Sequence, residues 1–200
     1  DYFSEECRIK CIYETEKNSL LNLFQKNKNK IFKKKLKKNK ITFFQINEYL
    51  WENFKQCTNF NTTTALSVLQ FFKPKRWLDF SAGWGDRLVS AIAFNCFYVG
   101  VDPNPCLHPK YKKIINTLAR KKNNFKMYES PFETVNLKEK DFDLVFTSPP
   151  FFKLESYTNN KKQSNKNYNT LKEWFDNFLI ISVKKACNVI IEGGHMALYI

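Results

Sequence analysis

Two rhythms of apolar residues run along the chain, one helical and one extended. Ala65, Leu66, Val68, Leu69 and Phe72 recur at three- and four-residue steps behind Asn61, Thr62 and Thr63. That spacing predicts a capped helix, which Lys73 and Pro74 end. The rhythm then changes: Trp77, Leu78 and Phe80 form a short apolar run of the kind that makes a central parallel strand. Residues 87–93 return to helical spacing, 97–101 (FYVGV) read as a second buried strand, and 107–120 as a basic surface helix. Residues 125–128 and 142–147 are a third and a fourth strand. Thr170 caps a long helix whose stripe runs through Leu171, Trp174, Phe175, Phe178, Leu179, Val183, Ala186, Cys187 and Ile190. Gly193 and Gly194 are expected to stop it, and 195–200 to begin a fifth strand. This alternation predicts an α/β fold of three layers around a mainly parallel sheet.

The first fifty residues have another texture. Phe43, Ile46, Leu50 and Phe54 predict a helix packing on the domain, but 26–40 (KNKNKIFKKKLKKNK) hold only three apolar residues. That run is either a solvated helix or loop, or an arm that contacts phosphates. The expected organisation is a basic, largely helical extension over 1–50 and a ligand-binding domain over 51–200. The chain lacks an initial methionine and ends inside an apolar run, so further carboxyl-terminal strands are expected beyond Ile200.

Composition adjusts this picture. With 200 residues and 43% hydrophobic content the chain can bury the core of one domain. Its formal charge of +14 points to a polyanion such as nucleic acid. All but four of the 33 basic residues are lysine, however, and the excess of Lys, Asn, Phe and Ile matches an AT-rich coding sequence. The six cysteines contain no C-x-x-C pair and the two histidines lie far apart, so no metal site is expected. Cys96 and Cys187 fall in apolar segments, as reduced cysteines of an intracellular, reducing compartment do. No apolar run approaches the roughly 18 residues of a membrane span.

Two stretches carry the chemistry. In 76–88 (RWLDFSAGWGDRL) a strand breaks into a turn at Gly83 and Gly85 and opens a helix, and in 142–152 (FDLVFTSPPFF) a strand stops at two prolines. Open α/β sheets bind ligands at the carboxyl ends of neighbouring strands, so both corners are expected to face one crevice. Asp102 ends the next strand, 23 residues after Asp79, where a nucleoside-binding domain places a carboxylate for the ribose hydroxyls. Leu88 stands where a dinucleotide fingerprint has its third glycine, and no Gly-Lys-Ser/Thr follows the turn, which counts against NAD and against a P-loop.

What remains is D-x-F/S-x-G-x-G. DFSAGWGDRL resembles the S-adenosylmethionine-binding motif of class I methyltransferases, and TSPPFF resembles the (D/N/S)-P-P-(Y/F/W) motif of the amino-methyltransferases. FTSPPFFKLESY and FNTTTA are similar to segments of the DNA methyltransferases that modify cytosine N4 or adenine N6. The resemblance spans residues 60–200. It implies a Rossmann-like fold with Asp79, Phe80, Ser81, Gly83 and Gly85 around the cofactor, the acid and the glycines at its methionine part. It also implies Thr62 near the methionine carboxylate, Asp102 on the ribose, and Ser130 to Phe132 by the adenine.

The chemistry supports the second motif independently. An exocyclic amine is a poor nucleophile because its lone pair is delocalised into the ring. Acceptors on its two N–H bonds orient it and support the developing positive charge. The Ser148 hydroxyl and the Pro149 carbonyl are the natural acceptors, Pro149 and Pro150 stiffen the turn, and Phe151 is placed to stack on an extruded base. The expectation is an S-adenosylmethionine-dependent N-methyltransferase of DNA, with RNA, a protein glutamine amide, or a non-catalytic subunit of the same fold as alternatives. Residues 154–169, rich in Asn and Lys, are expected to form a mobile polar loop over the nucleic acid.

Overall fold

A computed structural model describes residues 3–13, 16–35, 43–157 and 162–200. In chain order the elements are α1 (Glu5–Arg8), β1 (Ile12–Tyr13), α2 (Leu20–Lys35), α3 (Phe43–Asn53), α4 (Thr62–Phe72), β2 (Arg76–Asp79), α5 (Asp86–Phe94), β3 (Phe97–Val101), α6 (His108–Leu118), β4 (Phe125–Tyr128), β5 (Phe142–Thr147), β6 (Glu155–Ser156), α7 (Ser164–Asn167), α8 (Leu171–Trp174), α9 (Ile180–Cys187) and β7 (Ile190–Leu198). A π-helical stretch, Phe175–Leu179, joins α8 to α9.

Five strands form one sheet in the order β4-β3-β2-β5-β7, with every neighbouring pair parallel. Side chains alternate across the pleat, so each strand feeds two cores. Trp77, Tyr98 and Leu144 face Ala65 and Leu69 of α4, Leu88 of α5 and Tyr111 and Ile114 of α6. Leu78, Val99 and Val145 face Phe132 and Ala186 of α9. These are the three layers the sequence predicts, and the residues of β4 and β5 coincide with the predicted strands.

The end of the long helix differs from expectation. Helix α9 stops at Cys187, and Gly193 and Gly194 lie inside β7. There they form an irregularity against β5, whose pairing moves from Phe142 opposite Ile190 to Leu144 opposite His195. Gly193 has φ +75°, and a Cβ on Gly194 would stand 2.5 Å from the Ile190 side chain. The glycines therefore make a bulge rather than a helix stop.

The amino-terminal segment is fastened to the sheet domain. Strand β1 pairs antiparallel with β6, and disulfides join Cys7 to Cys106 and Cys11 to Cys57. The reducing compartment expected above rested on Cys96 and Cys187, which are the free thiols. The other four cysteines are paired, and reducing cytosol opens such bonds, so cysteine usage selects no compartment. Leu20 of α2 packs on Leu50 of α3. The basic run is helical as far as Lys35, and 36–40 lie outside the described residues, as do 158–161 of the polar segment. The rest of that segment is not the free loop expected. Besides β6 it holds α7, and the Trp174 indole N–H donates to the buried Ser164 hydroxyl at 3.2 Å. Among the described residues no helix is long and apolar enough to cross a membrane, and no three His, Cys, Asp or Glu side chains gather as metal ligands.

Candidate functional site

Strands β3, β2 and β5 lie side by side and parallel, so the turns that follow them open on one edge of the sheet. The glycine turn is shaped from both sides. Gly83 (φ +62°) and Gly85 (φ +102°) adopt backbone that side chains rarely allow, and a Cβ on Gly85 would stand 2.8 Å from Ile114 of α6. The Tyr111 hydroxyl donates to the Gly83 carbonyl, and the Gly83 N–H donates to Asp102 Oδ2 at 3.0 Å. Asp102 Oδ1 accepts the Asn104 N–H at 2.9 Å, which turns the chain after β3 back toward the glycines.

Between these turns is a cavity of about 300 Å³. Its wall includes Phe80, Ser81, Gly83 and Asp102 from the ends of β2 and β3, and Ser148, Pro149, Pro150 and Phe151 from the end of β5. Phe132 stacks on Phe80 with centroids 4.9 Å apart and forms another part of the lining. Phe151 is 37% exposed, at the mouth rather than in the core.

Four residues expected at the cofactor do not line the cavity. Asp79 is fully buried, where it accepts from Arg87 Nε, the Tyr98 hydroxyl and the Thr147 hydroxyl at 2.7–2.8 Å. Gly85 acts one layer back by letting α6 approach. Ser130 bonds to the neighbouring Pro131 carbonyl, and Pro131 to Glu133 take its place in the wall. Thr62 turns its carbonyl to the Ser90 hydroxyl, whereas Asn61 and Thr64 reach the cavity. The amino end of α4 is satisfied locally, since Asn61 Oδ1 accepts the N–H groups of Thr63 and Thr64.

Sequence reasoning missed several residues of the wall. Asp86 Oδ2 and Glu133 Oε2 are buried without a hydrogen-bond partner, and burial raises the pKa of both carboxyls. Glu155 and Tyr157 bond to each other by their side chains, and burial raises both pKa values. Asp86 had a signal, its place in the first turn of a helix after the glycine corner. Glu133 had none, because a lone Glu after Ser-Pro-Phe reads as surface until the fold closes over it. Asp102 is pushed up to about 7, chiefly by burial, against the lowering effect of its two backbone N–H bonds.

The backbone resembles solved structures at low identity. TrmN from Thermus thermophilus superposes with a TM-score of 0.52 at 14% identity, over 70% of this chain and 38% of that one. The glycopeptide N-methyltransferase MtfA complexed with S-adenosyl-L-homocysteine gives 0.50 at 12% identity, over 80% and 61%, and its complex with sinefungin gives 0.50 at 11%, over 73% and 52%. The chain has a Rossmann-like methyltransferase fold. This methyltransferase fold spans about two fifths to three fifths of the length of those proteins. No family model and no curated protein matches the sequence.

Proposed function

We propose that the chain is an S-adenosylmethionine-dependent N-methyltransferase acting on an exocyclic amine of a nucleic-acid base, cytosine N4 or adenine N6 in DNA. One observation carries this reading: Ser81, Gly83 and Asp102 share a single cavity with Ser148, Pro149 and Phe151. In this reading residues 51–200 are the catalytic domain and 1–50 an extension that serves substrate binding. The wall suits the cofactor, a cation with amine, ribose and adenine donors, because Asp102, Asp86 and Glu133 line the same space and Asp86 Oδ2 and Glu133 Oε2 have no hydrogen-bond partner of their own. When bound, the cofactor supplies a sulfonium-activated methyl group. Asp102 accepts from the ribose hydroxyls, and Phe80 and Phe132 frame the adenine. Ser148 Oγ and the Pro149 carbonyl accept the two amine N–H bonds and aim the nitrogen, while Phe151 stacks on the base at the mouth. The thiolate and imidazole chemistry of other sites is not needed, since the product proton leaves from a cationic amine to water or a wall carboxylate.

The test is incubation of the protein with methyl-labelled S-adenosylmethionine and separate unmethylated DNA, RNA and protein pools, followed by nucleoside analysis. Label in DNA as N4-methylcytosine or N6-methyladenine is expected. Label confined to RNA or protein would move the substrate class, and no label in any pool would remove the enzyme reading.

A further inference from the structure

We infer that a groove running outward from Phe151 binds the single-stranded nucleic acid that flanks the target base, with Trp51 as its stacking platform. The inference rests on the nucleic-acid reading above and adds a second subsite to it. The groove is lined by Tyr13, Trp51, Phe54, Lys55 and Leu154, and it shares Thr58, Phe151 and Glu155 with the cavity. The two spaces therefore adjoin at the catalytic turn.

Distant parts of the chain are held together to make this surface. The β1–β6 ladder sets Tyr13 opposite Glu155, the Cys11–Cys57 disulfide ties the same segment beside Thr58, and α3 brings Trp51. Trp51 is nonetheless 54% exposed, so an aromatic ring lies open to water on a surface the fold keeps in place. The Lys55 ammonium stands 6.0 Å from the Tyr13 ring centroid. Glu155, at the inner end, is engaged by Tyr157. Beyond α3 lies α2, with Lys26 and Lys28 exposed and four further lysines in its sequence up to Lys35. Helix α3 itself carries Glu48 and Glu52, and the cation in the groove lining is Lys55.

Aromatic faces beside the Lys55 ammonium match a ligand with unpaired bases and phosphates between them. A duplex hides its base faces, and an acidic peptide offers Lys55 charge but no ring to stack on Trp51. Seating of the target base against Phe151 at the mouth then places its neighbour on the strand over the groove.

The experiment uses the disulfide-bonded 200-residue chain with S-adenosylhomocysteine. Fluorescence anisotropy would measure its binding to short single-stranded DNA and RNA, the matching duplex and an acidic peptide. Trp51→Ala is expected to weaken single-strand binding by roughly fivefold to a hundredfold, the loss of one stacked base, with the melting temperature and S-adenosylhomocysteine affinity unchanged. Lys55→Gln should reduce the slope of log affinity against log salt by about one, and Trp51→Phe should keep most of the affinity. If Trp51→Ala also lowers the melting temperature, those last two variants decide. Equal single-strand affinity in wild type and variants overturns the groove while leaving the methyltransferase reading intact. Wild-type chain that binds S-adenosylhomocysteine but only duplex or only peptide overturns the groove, and with peptide alone the nucleic-acid reading falls too.

Discussion

Asp79 Oδ2 accepts the Arg87 Nε–H at 2.8 Å with both side chains inside the domain. The acid of the glycine corner thus binds the strand β2 to the helix α5 rather than facing the cavity. Its other contacts, the Tyr98 and Thr147 hydroxyls, reach it from β3 and β5, so one carboxylate joins three strands and a helix.

Asp79→Ala strands a buried guanidinium and two buried hydroxyls, and should cost about 3–5 kcal/mol in urea unfolding. Asp79→Leu combined with Arg87→Met should cost less than Asp79→Ala alone, because no charge is then left unpaired. A variant as stable as wild type would show that the pair contributes nothing to the fold.

Asp102→Ala should weaken cofactor binding substantially, at roughly 1.5–3 kcal/mol for each charge-assisted hydrogen bond lost, as read by calorimetry. The wild-type affinity should also depend on pH. The Asp102 carboxyl is raised to about 7, and only its ionised form accepts both ribose hydroxyls, so affinity should climb between about pH 6 and pH 8. The sign for folding is opposite. A carboxyl with a raised folded pKa contributes stability that is fully present below its ordinary range and lost as pH rises through about 7. Cofactor affinity flat across this range would place the ribose elsewhere.

Ser148→Ala removes one acceptor and leaves the Pro149 carbonyl. Single-turnover methyl transfer should fall on the order of 10² to 10³ while cofactor affinity stays near wild type, since the interaction matters most in the transition state. Phe151→Ala should weaken retention of the base and leave the melting temperature nearly unchanged, because the ring sits at the mouth. An unaltered rate in Ser148→Ala would take that hydroxyl out of the mechanism.

The two disulfides close loops with sequence separations of 99 and 46. By chain entropy each contributes about 4–5 kcal/mol. A phosphine reductant should lower the melting temperature markedly, and Cys7→Ser or Cys11→Ser should reproduce part of that fall. Equal melting curves with and without reductant would mean that the bonds add no stability.

Local spacing determined much of this protein. The capped helix at Asn61, the strands 125–128 and 142–147, the glycine turn and the Ser-Pro-Pro turn depend on residues within a few positions of one another, and the periodicity of 2 or 3.6 reports which faces are buried. Even the meeting of the two corners was legible, because parallel neighbours put their carboxyl ends together. Three things needed the tertiary structure. Gly193 and Gly194 resemble a helix stop in sequence, and only pairing with β5 makes them a bulge. Asp79 sits in the motif as a cofactor ligand would, yet Arg87, Tyr98 and Thr147 surround it because the sheet order brings β2 between β3 and β5. The pairing of Cys7 with Cys106 and Cys11 with Cys57, and with it the aromatic groove beside Phe151, depends on where the amino-terminal segment docks. Contacts so far apart in sequence leave no periodic trace, since they are set by the packing of whole elements and not by the order of neighbouring residues.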